Sequence, residues 1–385
     1  MPLRQAARLA LLAGVALIAF GCDDFRPPVH AVAPDPARKL QQAQLSSARI
    51  APAADTAPPA APVAGSIAAN LLAPAGSADP AAKAIETAST APAPGGQAAR
   101  DLLIRVEVLL ARAHFSPGVI DGQKGANLSR AISAYQESRG GVVTGKVDQG
   151  LLDALAREDA GPVTQDYAIT AEDVTGPFLG SVPRDFEALS KLPHLGYASP
   201  LEALAERFHM SQALLSALNP KRDFASAGAS ILVVRAGAGD LVDVARVEVD
   251  KSENQVRALD AGGKIIAAFP ATVGSTERPA PSGEWAVKAV VRDPSYTYDP
   301  KRLTFGDKSK GPLTIAPGPN NPVGSTWIAL TVETYGIHGA PDPAKVGKTA
   351  SHGCVRLTNW DAVALGRAVK KGMPVAFVGV ETRKA

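Results

Sequence analysis

Between Arg100 and Glu158 the apolar residues recur at helical spacing: Leu102, Val106 and Leu109, then Ile132 and Tyr135, then Leu151, Leu152 and Leu155. Residues three or four apart form one stripe on a helix, so three short amphipathic helices are predicted. The breaks between them are rich in turn formers, from Ser116 to Gly125 and from Gly140 to Asp148, and Asn127 reads as the N-cap of the second helix. Between Gln165 and Ala236 the pattern is mixed. Tyr167–Thr170 and Ile231–Val234 read as short strands around two helices. The first helix is opened by Ser199 and carries Leu201, Leu204 and Phe208. The second is opened by Ser211, carries Leu214, Leu215 and Leu218, and stops at Asn219-Pro220. From Asp240 the period becomes two. Arg246–Asp250 alternates, Ser252-Glu253-Asn254 turns, Gln255–Leu259 returns, and Asp260–Gly263 turns again before 264–273. This is a meander of antiparallel strands. Thr358 or Asn359 then opens a last helix with Ala362, Leu365 and Val369; Gly372 ends it, and a strand follows at 375–378.

Upstream of the helices, composition replaces pattern. Arg26 to Ala98 is dominated by Ala, Pro, Gly and Ser, as in Ala57-Pro58-Pro59-Ala60-Ala61-Pro62. Such a stretch buries too little apolar surface to offset ordering entropy and reads as a disordered, partly extended tether, with room for a short helix around 37–49. Arg4 and Arg8 precede an apolar run from Leu9 to Phe20, too short to span a bilayer as a helix, which marks a signal peptide. It ends in Ala19-Phe20-Gly21-Cys22, which resembles a bacterial lipobox. Acylation of Cys22 would anchor the protein to a membrane, and Asp23 resembles an inner-membrane retention signal. Plain cleavage by the ordinary signal peptidase is the alternative. Either route places the chain in the periplasm or cell envelope. The expected domains are 1–21 signal, 22–98 linker, 99–160 helical, 161–237 mixed and 238–380 β-rich. A chain of 385 residues is too long for one core. Net charge is +3, with no basic cluster interleaved with aromatics, so nucleic acid is not an expected partner.

The chemistry gathers in Ser351-His352-Gly353-Cys354-Val355-Arg356-Leu357. Of two cysteines, one sits at the cleavage site and the other here, so Cys354 is left unpaired. His338 lies sixteen residues before Cys354, enough for neighbouring strands, and His352 lies two before it. A thiol with a pKa of about 8.5 needs a base to react near neutrality, and a histidine in reach supplies one. Gly353 would let a substrate approach the backbone closely. Three readings stand: a buried structural cysteine, a zinc site using His338, His352 and Cys354, and a cysteine nucleophile. Zinc is disfavoured by the lack of a further cysteine ligand. No nucleotide or other metal motif appears, so no cofactor is expected.

Three resemblances follow from these residues. Ile337-His338-Gly339 with Ser351–Leu357, supported by Pro281–Trp285, Pro317–Pro322 and Asn359–Ala362, resembles the L,D-transpeptidases, the YkuD-type catalytic domain, over 240–378. The Val119-Ile120-Asp121-Gly122 and Val143-Thr144-Gly145 turns between helices resemble a three-helix peptidoglycan-binding domain. Strand, helix, helix, Asn-Pro, strand resembles a LysM module, with Ser199-Pro200 where Gly-Asp is usual and a long insertion after the first strand. Together they imply a multi-domain α+β protein. Its C-terminal domain would be a β-rich sandwich with the cysteine in a cleft.

The first resemblance also implies a reaction. Cys354 would attack the diaminopimelate–D-alanine bond of a tetrapeptide stem, and an amine of a second stem would resolve the thioester into a diaminopimelate–diaminopimelate cross-link. His338 would be the base, the Gly339 carbonyl would orient it, and backbone N–H groups at Gly353 and Cys354 would hold the oxyanion. His352 would line the cleft and tune the thiolate, or serve only the turn. Arg356 would pair with a stem carboxylate, or make a packing ion pair; Tyr335 and Ser351 would join it on the substrate side. Water as acceptor would make an L,D-carboxypeptidase or endopeptidase, a lipoprotein amine an anchoring enzyme. A catalytically inactive peptidoglycan-binding scaffold is the reading from another class. The implied partners are peptidoglycan stem peptides and glycan, and a membrane through Cys22.

Overall fold

The computed structural model describes residues 50–51, 77–91, 95–276, 279–299, 311–351 and 353–381. The signal segment, Cys22, most of the tether and His352 lie outside the described residues. Among the described residues no helix is long and apolar enough to cross a membrane.

Strand β1 (Ile50–Ala51) and helix α1 (Pro80–Thr87) come from the stretch expected to be disordered through Ala98. That expectation is corrected for α1. Asp79 caps its first turn, Pro80 occupies the first helical position, and Ala82 and Ile85 are fully buried. Two apolar anchors were too few to stand out against an alanine-rich background. Helices α2 (Gly96–Arg112), α3 (Ala126–Ser138) and α4 (Gln149–Glu158) bury the predicted stripes. Asn127 is not the N-cap of α3. Gly125 holds that place, and Asn127, two residues further on in the first turn, donates its amide to the Val346 carbonyl at 2.9 Å.

Strand β2 (Thr164–Ala168) pairs antiparallel with β3 (Ser230–Val234). The inserted helices α5 (Ala171–Thr175) and α6 (Phe186–Ser190) and the expected α7 (Pro200–Arg207) and α8 (Gln212–Leu218) lie between them. Ser199 and Ser211 cap α7 and α8 as expected. Asn219 ties the end of α8 to β3, donating to the Leu215 and Leu232 carbonyls and accepting from the Leu232 N–H.

The C-terminal strands are β4 (Arg246–Asp250), β5 (Gln255–Leu259), β6 (Ile265–Pro270), β7 (Gly283–Arg292), β8 (Ser295–Tyr298), β9 (Leu313–Ile315), β10 (Thr326–Leu330), β11 (Gly336–His338), β12 (Val355–Arg356) and β13 (Pro374–Val378), with α9 (Asn359–Ala368) before the last. Eight of them form one ladder in the order β12-β11-β10-β7-β13-β4-β5-β6, while β1, β8 and β9 make a small separate sheet. Strand β7 belongs to both halves of the ladder: 287–292 pair with β10 and 283–286 with β13. At the other side Thr272, just past β6, bridges Arg356 of β12 through two 2.9 Å backbone bonds. The expected sandwich is therefore a curled sheet whose halves face each other. They enclose one core of Val247, Val256, Phe269, Ile328, Val355 and Leu365, among others. A strand that changes partners turns the corner, and the bridge leaves little free edge.

The segments expected as successive modules share a second core. It runs from α1 through α2–α4, β2, β3, α7 and α8 to Leu259, Ile265 and Ala268 of the β-rich region. The backbone stitches the same seam. Ser116 N–H donates to the Ala268 carbonyl, and Ser211 N–H to that of Ile120.

Candidate active site

Strands β11 and β12 run parallel, with Ile337 opposite Val355 and His338 opposite Arg356. Gly336 and His338 are two apart on one strand, as are Cys354 and Arg356 at the start of the next, so their side chains project to one face. The apolar residues between them, Ile337 and Val355, point into the β core. Alternation within each strand and the parallel register between them thus deliver thiol, imidazole and guanidinium to a common side.

His338 is 3% exposed. Its ring stacks on Trp327, its cross-strand partner, with centroids 5.3 Å apart. Its Nδ1 lies 2.6 Å from the Gly339 carbonyl. A carbonyl only accepts, so Nδ1 carries the proton and Nε2 is left as the free base. Burial, aided by the Arg356 charge, pushes the imidazole down to about 3. Cys354 is half-buried, and burial pushes its thiol up; the Gly336 N–H and the Arg356 cation oppose that rise. Both groups are therefore neutral at rest, and the anionic thiolate has two stabilising neighbours ready when it forms.

The turn before the cysteine is tightly held. Gly353 has φ +124°, a conformation costly for other residues. Its N–H donates to Ser351 Oγ at 3.2 Å, and that hydroxyl donates to the Cys354 carbonyl at 2.7 Å. Ser351 is buried and its hydroxyl is engaged inside the turn. Burial pushes the Arg356 guanidinium down from its ordinary value, and the charges of Cys354 and Tyr296 oppose that fall. Tyr335 is buried near Cys354 and is pushed up to about 12 by burial, with the thiolate and Glu381 adding to it. Gly339 also donates its N–H to the Thr326 carbonyl at 3.1 Å, which holds this backbone against β10.

Tyr296 was not anticipated from sequence. It lies on β8, and its phenol is raised by burial, then by Cys354 and Tyr298. The alternating Ser295-Tyr296-Thr297-Tyr298 was the available signal. What made it matter is α6: Phe186 stacks on Tyr298 at 4.1 Å and contacts Tyr296 at 6.1 Å. No group of three His, Cys, Asp or Glu side chains suited to a metal ion occurs among the described residues.

A curled sheet presenting one thiol, one imidazole of fixed tautomer and one guanidinium on a single face is built for nucleophilic chemistry. Residues 245–376 match the family model "L,D-transpeptidase catalytic domain", and residues 100–155 match "Putative peptidoglycan binding domain". The β-rich region thus matches an L,D-transpeptidase catalytic domain, and the helices before it match a putative peptidoglycan-binding domain. "Putative L,D-transpeptidase YkuD" of Bacillus licheniformis is 26% identical over 179 residues, 46% of this chain and 92% of that protein. "Probable L,D-transpeptidase YbiS" of Escherichia coli K12 is 26% identical over 190 residues, 48% of this chain and 61% of that one. Among solved structures, L,D-transpeptidase 3 of Mycobacterium tuberculosis with a faropenem-derived adduct is 20% identical at a TM-score of 0.29, covering 38% of this chain and 66% of that one.

Proposed function

We propose that this protein is an L,D-transpeptidase that cross-links peptidoglycan stems through an acyl-enzyme on Cys354. The observation that carries the reading is the β11–β12 register, which sets a neutral imidazole and a thiol on one face with Nδ1 already committed to Gly339. In this scheme Cys354 Sγ attacks the carbonyl of the L-centre of diaminopimelate as its proton passes to His338 Nε2. The imidazolium forms only next to an anionic sulfur or oxyanion, whose charge offsets the cost of burying it. The proton then goes to the departing nitrogen, the C–N bond breaks, and D-alanine leaves a thioester. The amine of a second stem attacks the thioester and gives up its proton to His338, the C–S bond breaks, and the sulfur recovers its proton. The Gly353 N–H is occupied by Ser351, which leaves the Cys354 N–H as the oxyanion donor. Arg356, beside the sulfur, stabilises the anionic stages.

The helical domain would hold the wall, and the β2–α7–α8–β3 unit, LysM-like in topology, would add a glycan contact. Because these segments share a core with β6, wall binding is best tested on the full chain: Cys354→Ala protein should co-sediment with purified sacculi. We further place the protein in the cell envelope with a lipid on Cys22. Cys22→Ser should then move it from the membrane to the soluble periplasmic fraction, and an unacylated, soluble wild type would sink that assignment.

The catalytic reading is tested by the mass of the protein after exposure to a carbapenem and by muropeptide mass spectrometry with tetrapeptide substrate. Expected are an adduct mapped to Cys354 and a cross-linked dimer with D-alanine released. Tripeptide without dimer would assign water as the acceptor. No adduct on the folded protein would exclude the nucleophile.

A further inference from the structure

Helix α7, outside the matched catalytic domain, grips that domain at two points. Glu202 and Glu206 stand one turn apart and so face the same way. Glu202 Oε1 accepts from Asn320 Nδ2 at 3.0 Å, and its Oε2 from the Ala198 N–H at 2.5 Å. Glu206 Oε1 accepts from Asn359 Nδ2 at 2.9 Å.

Asn359 is the first residue of α9 and is 3% exposed. Its Nδ2 also donates to the Pro319 carbonyl at 3.1 Å, and its Oδ1 accepts from the Ser325 N–H at 3.1 Å. That oxygen fills a notch between Gly324 and Gly339, where a Cβ on either glycine would collide with it. The Gly339 carbonyl beside the notch is the one that holds His338 Nδ1. From the Glu206 carboxylate to the imidazole the path is one hydrogen bond, one packed amide and one carbonyl. Glu206 is the member supplied by the upstream segment.

We propose that Glu206 is a positioning residue of the active site: it holds the Asn359 amide in the Gly324–Gly339 notch and thereby fixes the carbonyl that orients His338. The proposal rests on His338 acting as base toward Cys354. It makes the middle segment part of the catalytic apparatus, and it predicts that reach, not charge, is what position 206 contributes.

The experiment compares full-length wild type with Glu206→Gln, Glu206→Asp and Glu206→Ala. Alkylation of Cys354 by iodoacetamide, mapped by peptide mass, is followed across pH, together with acylation by a carbapenem and thermal unfolding. Gln keeps an acceptor oxygen at full reach, whereas Asp keeps the charge one methylene short. A small displacement at a catalytic group costs one to two orders of magnitude in rate, so Gln is expected within about twofold of wild type, with Asp and Ala slowed about tenfold or more at neutral pH. In Asp and Ala, alkylation should recover only toward the pH of an unassisted thiol. If Ala fails to fold, the Gln and Asp pair decides. An Asp variant that matches wild type while Gln is impaired overturns the proposal, as do variants that lose thermal stability with an unchanged pH profile. If wild type is alkylated with the predicted ordering but never acylated by a carbapenem, the transpeptidase reading falls and the positioning role stands.

Discussion

Two buried polar regions meet at the start of α9, and they are built on opposite plans. In the β11–β12 pocket the reactive groups are held by backbone, the Gly339 carbonyl on His338 and the Gly336 N–H on Cys354, with one cation, Arg356, close by. In the seam between α9 and the upstream segments the titratable groups are held by neutral side chains. Glu206 takes Asn359 and Tyr197, and Asp361 takes Thr358 and Ser116. His209 stacks on the Trp360 indole, with ring centroids 4.8 Å apart. Burial then acts differently on the two. It moves both pocket groups away from neutrality, the imidazole to about 3 and the thiol upward. In the seam it brings both carboxyls up to about 7. The pocket therefore keeps one charge state through mild pH, while the seam changes its own near neutrality. A reactive site gains from constancy; a joint between segments has no such demand.

The largest effect breaks the pocket. Cys354→Ala should abolish carbapenem adduct and cross-link alike, and Cys354→Ser should be nearly as inactive, because an alcohol holds its proton far more tightly than a thiol. Intact mass and muropeptide analysis check both. His338→Gln should leave the fold and lower the acylation rate by roughly a hundredfold, the scale of general-base catalysis, measured by stopped assays of adduct formation. A rate equal to wild type would remove His338 from the mechanism.

The next effect sharpens the seam. Asp361 has a folded pKa of about 7 against 3.8 when unfolded, so the native state keeps a proton that the unfolded chain releases between about pH 4 and 7. Its contribution is most favourable below that window and falls by about 1.4 kcal/mol per pH unit through it. His209 and His338, lowered to about 4 and about 3, act in the opposite sense up to the ordinary histidine value. The difference between variant and wild type isolates the carboxyl. Asp361→Asn should gain stability relative to wild type with that slope from about pH 4 to 7 and none beyond, read from denaturant midpoints at several pH values. A flat difference would mean that the carboxyl titrates normally.

The smallest effect probes the contact between the insertion and the pocket. Phe186→Ala removes the ring stacked on Tyr298 and should cost about 2 kcal/mol or less, since the ring is only partly buried. Acylation should slow a few-fold if β8 depends on this support to hold Tyr296 by the sulfur. An unchanged rate in the destabilised variant would confine Phe186 to packing.

Much of this could be read along the chain. The three helical stripes, the Ser199 and Ser211 caps and the β4–β6 meander came from period and capping residues, which act over a few positions. Strands β7 to β9 were not anticipated: β7 is exposed or half-buried along much of its length and shows no clean alternation. Helix α1 was hidden by alanine-rich composition, and Asn127 looked like a cap because its partner, the Val346 carbonyl, is over two hundred positions away.

Of the active site, sequence alone determined the reactive atoms and their spacing, His338 two positions after Gly336 and Arg356 two after Cys354; the parallel β11–β12 register that sets them on a common face is tertiary. Tertiary structure decided the protonation states, the place of Tyr296 near the sulfur, the notch that Asn359 fills and the grip of Glu206 on it. Those depend on desolvation and on contacts between residues up to 153 positions apart. Local propensity is indifferent to such contacts; only the closed sheet and the shared upstream core bring the partners within reach.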